Sequence, residues 1–203
     1  TLTGLVISYW FYYKLDFNSV HIPFNGDWIL GIWFIPFLVV VMLATFSTSV
    51  IDGIDGLAGG VLVSIFTAFA IIAFMNSQID ISALSGAIAG AILAFLWFNV
   101  PPARFYMGET GMMALTVVLA VIAFLTDSVL VLPIIAFPLA LTTASDIIQI
   151  FGYKWFKGYR VFKVAPLHHH FQALGWPREK VVMRYWIVSV ISAITGVILV
   201  LIS

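Results

Sequence analysis

The chain has 203 residues, 63% hydrophobic and only 9% charged, with nine basic and nine acidic side chains and no cysteine. A soluble domain carries roughly 25% charged residues, so a chain this apolar (mean hydropathy +1.12) is read as an integral membrane protein. The missing cysteines exclude a disulfide framework and thiolate chemistry, and no basic stripe points to a nucleic-acid partner.

A membrane-spanning helix needs about 20 mostly apolar residues. The chain opens inside an apolar run, Leu5–Tyr13, with no charged leader and cleavage site ahead of it, and its start is read as a truncation through a transmembrane helix. Full spans are then predicted at Trp28–Val50, Leu57–Met75, Ile81–Phe98, Met112–Thr126, Ser128–Ile150 and Val181–Ile202. Their lengths suit helices, whereas a barrel would show short alternating strands. Pro36, Pro133 and Pro138 fall inside spans, where neighbouring helices accommodate kinks. The expected fold is an all-α polytopic transmembrane helix bundle of six full spans plus one partial span, a single membrane domain over residues 1–203.

Alternate loops face the same side. One set holds Ser47–Gly56, Asn99–Gly111 and Phe151–Lys180; the other holds Lys14–Asp27, Asn76–Asp80 and the turn at Thr126–Asp127. Every basic residue except Lys14 lies in or beside the first set: Arg104, Lys154, Lys157, Arg160, Lys163, Arg178, Lys180 and Arg184. The positive-inside rule makes that set cytoplasmic. It also holds Asp52, Asp55, Glu109, Asp146 and three consecutive histidines, so topology gathers acids, imidazoles and cations on one face. His21, in the opposite set, is assigned no role.

Three clusters on this face could carry chemistry. In Ile51-Asp-Gly-Ile-Asp-Gly-Leu57, Asp52 and Asp55 would point the same way on a helical turn. Two such carboxylates could hold Mg²⁺ or act as a base; a simple helix cap and turn is the alternative. In Asn99-Val-Pro-Pro-Ala-Arg-Phe-Tyr-Met-Gly-Glu-Thr-Gly111, the two prolines end one helix, and Gly108 and Gly111 bracket Glu109 at the start of the next. A helix amino terminus suits phosphate. Glu109 there could hold a cation that bridges phosphates, or merely stabilise the helix start, and Tyr106 could stack on a base. The third cluster is Ala165-Pro-Leu-His-His-His-Phe-Gln-Ala-Leu-Gly175 in the long basic loop. Three adjacent imidazoles cannot share one face of a regular element, so at most two would meet one ligand. They could bind anionic phosphate, share protons near neutral pH or ligate a metal.

These three motifs together resemble the phospho-N-acetylmuramoyl-pentapeptide transferase family. The resemblance rests on IDGIDGLAGG (51–60), FNVPPARFYMGETGMMAL (98–115) and RVFKVAPLHHHFQALGWP (160–177). It continues through Ser145-Asp-Ile-Ile-Gln-Ile150 and Lys180-Val-Val-Met-Arg-Tyr-Trp186. It implies transfer of phospho-MurNAc-pentapeptide from UDP-MurNAc-pentapeptide to undecaprenyl phosphate. The products would be lipid I and UMP, formed with Mg²⁺ at the cytoplasmic face of the bacterial inner membrane during peptidoglycan synthesis. It also implies a catalytic set of Asp52, Asp55, Glu109 and His168, with Glu109 as the Mg²⁺ ligand. Substrate contacts would come from Ser49, Asn99, Tyr106, Gln149, His168, His169 and His170.

The chain departs from the family pattern at three of these places. Glu109 stands where the family has Asp, Ser49 where it usually has Asn, and Met112 where a small Ser is usual. The family also carries three further helices and an Asp-Asp pair ahead of the point where this chain opens. The alternatives are a polyprenyl-phosphate N-acetylhexosamine-1-phosphate transferase, a catalytically dead relative that binds lipid or nucleotide, and a His/Asp metal transporter. Oligomeric state is left open, a homodimer included.

Overall fold

The computed structural model describes residues 2–155 and 160–203, and Lys157, counted above among the basic residues, lies outside them. The order is helix α1 (Leu2–Lys14), strands β1 (Ser19–Ile22) and β2 (Gly26–Ile29), then helices α2 (Phe34–Ser47), α3 (Leu57–Met75), α4 (Ile79–Asn99), α5 (Gly108–Leu125), α6 (Leu132–Ile135), α7 (Phe137–Trp155), α8 (Leu167–Ala173) and α9 (Arg178–Ile202). Short 3-10 turns at Gly31–Trp33 and Thr48–Ile51 extend α2 at both ends.

Among the described residues, five helical segments are long and apolar enough to cross a membrane: Gly31–Ile51, α3, α4, α5 and α9. The all-α polytopic bundle is therefore present, and this is a multi-pass membrane protein. The outward faces agree: Leu93 and Trp97 on α4 and Ile187, Ile191, Ile194 and Ile198 on α9 are exposed. Apolar surface this continuous belongs against lipid.

Three boundaries differ from the sequence reading. The predicted span Ser128–Ile150 is broken into α6 and α7. Pro138 has no N–H to continue the ladder from α6, and Asp146, Gln149 and Lys154 make the second half of α7 too polar for a membrane core. Trp28, expected to open a span, lies instead in a β-hairpin whose register pairs Val20 with Trp28 and His21 with Asp27. The histidine run is not an open loop but forms α8, entered from the extended Pro166.

α3 is the central helix, packed against α4 and α9. Small residues allow these close approaches. A Cβ on Gly59 would sit 3.0 Å from Leu96 of α4, and one on Gly60 would overlap the Trp186 indole of α9. Ser189 Oγ–H donates to the Val61 carbonyl at 3.3 Å across the same interface. A second core joins α1, α2 and α5 through Phe11, Phe34, Leu38 and Phe124, with the Phe34 and Phe124 rings edge-on at 5.5 Å. These two cores fix the helix ends from which the loops of the site project.

Candidate active site

Three loop regions converge at one end of the bundle: the turn after α2, the α4–α5 connection, and α8 with the approach to it. At their centre is the turn Asp52–Gly56. Its backbone leaves the 3-10 turn at Asp52 (φ −77°, ψ 60°) and enters α3 through Gly56, whose φ of +78° is left-handed and suits glycine. This corrects the expected helical geometry for Asp52 and Asp55. The segment is a non-helical turn because neighbouring groups capture its backbone from several sides.

The α4–α5 connection supplies most of that capture. α4 stops because Val100, preceding Pro101, is extended (φ −61°, ψ 141°). Asn99, only 2% exposed, then bridges two loops: its Oδ1 accepts the Gly56 N–H at 2.9 Å and its Nδ2 donates to the Phe105 carbonyl at 3.0 Å. The Ala103 N–H donates to Asp55 Oδ2 at 3.2 Å. The Gly108 N–H is directed at Asp52, which brings that carboxylate beside the first turn of α5, where Glu109 stands exposed. Burial pushes the Asp52 carboxyl above its ordinary range, and the Gly108 N–H partly offsets this. From α9, the Trp186 indole N–H donates to the Gly56 carbonyl at 3.0 Å.

The histidines close the other side. A Cβ placed on Gly53 would lie 2.6 Å from His168 Nε2 and 2.9 Å from His169 Nε2, so both imidazoles abut the backbone between the two aspartates. His168 is fully buried, and neither of its ring nitrogens has a hydrogen-bond partner among the described residues. Burial, aided by the neighbouring His169, lowers its pKa from 6.5 to about 4, so it is neutral at physiological pH. His169 Nδ1 is hydrogen-bonded to Gln172 Oε1 at 2.8 Å, and its Nε2 faces Gly53. His170 is tied elsewhere: its Nδ1 accepts the Lys163 N–H at 3.1 Å and its ring packs edge-on against Phe162. A helix turns about 100° per residue, which is why two of the three imidazoles meet the acidic turn and the third does not.

The remaining sequence-derived residues lie around this centre. Gln149 clamps the segment before α8, with Oε1 accepting the Phe162 N–H at 2.9 Å and Nε2 donating to the Phe162 carbonyl at 3.1 Å. It borders an open basin of about 490 Å³ with Asp146, Arg160 and Lys163 on its rim. Ser49 is half-buried, and its carbonyl accepts the Asp52 N–H at 3.3 Å. Tyr106 is 66% exposed, its ring open to a stacking partner. The sequence reading gave no role to Ser145 or Gln172, whereas Gly53 was expected to let the backbone come close to a ligand or another helix. Ser145 Oγ accepts the Leu167 N–H at 3.0 Å and so anchors the start of α8; its position four residues before Gln149, on the same helix face, was the available signal.

Asp52 and Glu109 are both carboxylates, the donor type that suits Mg²⁺. Mg²⁺ takes one or two carboxylates and completes its shell with water and substrate phosphate, so no full protein cage is needed. Among the described residues, the one trio of His, Asp or Glu with ligand atoms within 4.8 Å of one another is elsewhere, at His21, Asp27 and Asp127. There His21 Nδ1 meets Asp27 Oδ1 at 2.9 Å, and the His21 N–H donates to Asp127 Oδ1 at 3.3 Å, tying the hairpin to the end of α5.

Residues 1–127 match the profile of glycosyl transferase family 4. The chain belongs to that family. Its relatives are named phospho-N-acetylmuramoyl-pentapeptide-transferase. The protein of Desulforapulum autotrophicum is 39% identical over 212 residues, covering 95% of this chain and 59% of the relative. That of Listeria monocytogenes is 39% identical, covering 98% and 64%. That of Chloroflexus aurantiacus is 38% identical, covering 90% and 52%. This family 4 chain thus spans between about half and two thirds of the length of these relatives. The matched segment includes the acidic turn and Glu109, and the similarity to the named relatives extends through most of the rest of the chain.

Proposed function

We propose that this chain is part of a phospho-N-acetylmuramoyl-pentapeptide transferase, and that the cluster around Gly53 lies in its active site. The supporting observation is the meeting of His168 and His169 with the Asp52–Asp55 turn, beside the Glu109 end of α5. The substrates would be UDP-MurNAc-pentapeptide and undecaprenyl phosphate. A phosphate oxygen of the lipid forms a bond to the sugar-bearing phosphorus of the nucleotide as the bond to UMP breaks, giving lipid I and UMP. The reading sets this in the bacterial cytoplasmic membrane, with the basic face of the bundle in the cytoplasm.

Phosphoryl transfer is mainly positioning and charge stabilisation. Asp52, whose pKa burial raises, is the carboxylate placed to exchange a proton with an attacking phosphate. His168, kept neutral by burial, and His169 add directed hydrogen-bonding nitrogens. Tyr106 offers a stacking surface for the base, and Lys163 and Arg160 draw anionic groups toward the basin beside Gln149. Asn99 and Gln149 act through the backbone, holding the acidic turn and the approach to α8 in place. Glu109, with Asp52 beside it, would hold Mg²⁺. When bound, the ion would neutralise charge on the phosphates.

Glu109→Ala is expected to lower UMP release about 100-fold or more, in line with the several kcal/mol such charge stabilisation contributes. Glu109→Asp should retain turnover with a changed Mg²⁺ requirement. A radiolabelled-nucleotide assay across Mg²⁺ concentrations reads both, and undiminished turnover in the alanine variant would overturn the assignment of Glu109 as metal ligand.

A further inference from the structure

A separate feature lies on the outer surface of the bundle, where α7, α8 and α9 meet. Trp176 stacks on Phe171, with ring centroids 4.8 Å apart and planes 16° from parallel. Two cations sit over the same indole: Arg184 Cζ at 4.4 Å and Lys180 Nζ at 4.7 Å from its ring centroid. They stand four residues apart on the first turns of α9 and so share one helix face. Among the described residues the one ion pair is His21–Asp27, so neither cation has a carboxylate partner there.

Directly beside these charges runs an apolar slot of about 250 Å³, lined by Phe137, Leu141, Phe171, Val181, Arg184 and Val188 among others. Phe137, Leu141 and Val188 are each exposed on the outside of the bundle, so the slot opens sideways toward lipid. From Val181 to Val188 it follows α9 for about 10 Å. The combination is an aromatic and cationic platform at a membrane-entering helix end, continuous with a greasy channel.

We propose that this slot binds an anionic phospholipid of the surrounding bilayer, its phosphate held by Arg184 and Lys180 beside Trp176 and one acyl chain lying in the slot. The charge complementarity favours an anionic headgroup over a zwitterionic one. The occupant is a structural lipid and not a reacting one, because Asp52, Glu109 and His168 do not line the slot. It does touch the machinery indirectly: Tyr185 forms part of the slot wall, and its ring centroid lies 6.5 Å from that of His168. The inference stands independently of the transferase reading, since it rests on lipid contact alone.

Native mass spectrometry of the purified protein, titrated with phosphatidylglycerol, phosphatidylcholine or undecaprenyl phosphate, tests it. Phosphatidylglycerol is expected to bind more tightly than phosphatidylcholine. Each of Lys180→Gln and Arg184→Gln should weaken it about fivefold, the value of one juxtamembrane cation. Leu141→Trp, which fills the slot and keeps both charges, should also evict it. This second variant keeps the test sharp if the glutamine variants misfold. Arg178→Gln, on the same helix end but outside the Trp176 cluster, should leave binding unchanged. Equal binding of the two phospholipids, or equal loss in Arg178→Gln, would overturn the proposal. So would displacement of phosphatidylglycerol by undecaprenyl phosphate with higher affinity, which would assign the slot to a lipid substrate.

Discussion

Gly53→Ala is expected to lower UMP release about 100-fold while leaving the protein folded. The added methyl would lie 2.6 Å from His168 Nε2 and 2.9 Å from His169 Nε2, closer than real side chains approach, so one or both rings must shift. Small displacements of positioning groups cost about that much in rate. The backbone at Gly53 is not left-handed, so the penalty is steric contact with the imidazoles and not conformational strain. Overpacking of this kind costs about 1–3 kcal/mol, which a melting curve in detergent would show as a modest shift. Gly86→Ala is the matched control, because a Cβ there meets nothing within 4 Å. Its turnover should be unchanged. Full activity in Gly53→Ala would mean that contact between the acidic turn and the histidines is incidental to catalysis.

Between pH 6.5 and about 4, His168 alone is expected to remove about 3 kcal/mol of stability. In the folded protein its pKa is about 4 because burial, and secondarily His169, disfavour the imidazolium; in the unfolded chain it returns toward 6.5. Above 6.5 the ring is neutral in both states and contributes no pH dependence. As pH falls below 6.5 the unfolded chain takes up a proton that the folded state refuses, so stability drops. Below about 4 both states are protonated and the loss levels off. Asp52 has the opposite sign, since its folded pKa is raised, so the wild-type curve alone is ambiguous. The difference between wild type and His168→Gln isolates the histidine. Melting temperatures in detergent from pH 7.5 to 4 should converge for the two proteins as pH falls, and parallel curves would contradict the burial of a neutral His168.

The apolar spans were legible because their signal is simple. α3 begins and ends where hydropathy places it, and α4 and α9 differ only at their polar ends. The gathering of acids and histidines on one face followed from loop alternation and the basic residues. What the sequence hid was mostly tertiary. The capture of Gly56 by Asn99, 43 residues away, and the contact of Gly53 with His168 and His169 need the bundle assembled before they exist. Other features left a trace that was outweighed. Asn25-Gly26 is a turn signal for the β1–β2 hairpin, masked by the aromatic residues around it, and Gly26 indeed has a φ of +81°. Pro138 marked the break before α7, but a proline inside a span reads equally well as a tolerated kink. The His21 imidazole pairs with Asp27 across the unforeseen hairpin, and its backbone N–H reaches Asp127, 106 residues away, so neither contact showed in the sequence.

The most direct measurement is UMP release by the complete membrane protein supplied with undecaprenyl phosphate and, separately, UDP-MurNAc-pentapeptide or UDP-N-acetylglucosamine. Release from the muramoyl substrate, with formation of the pentapeptide-bearing lipid and little reaction of the other nucleotide, is the expected result. Turnover of UDP-N-acetylglucosamine alone would move the chain to the hexosamine-phosphate branch, and binding of either nucleotide without release of UMP would contradict catalysis at this site.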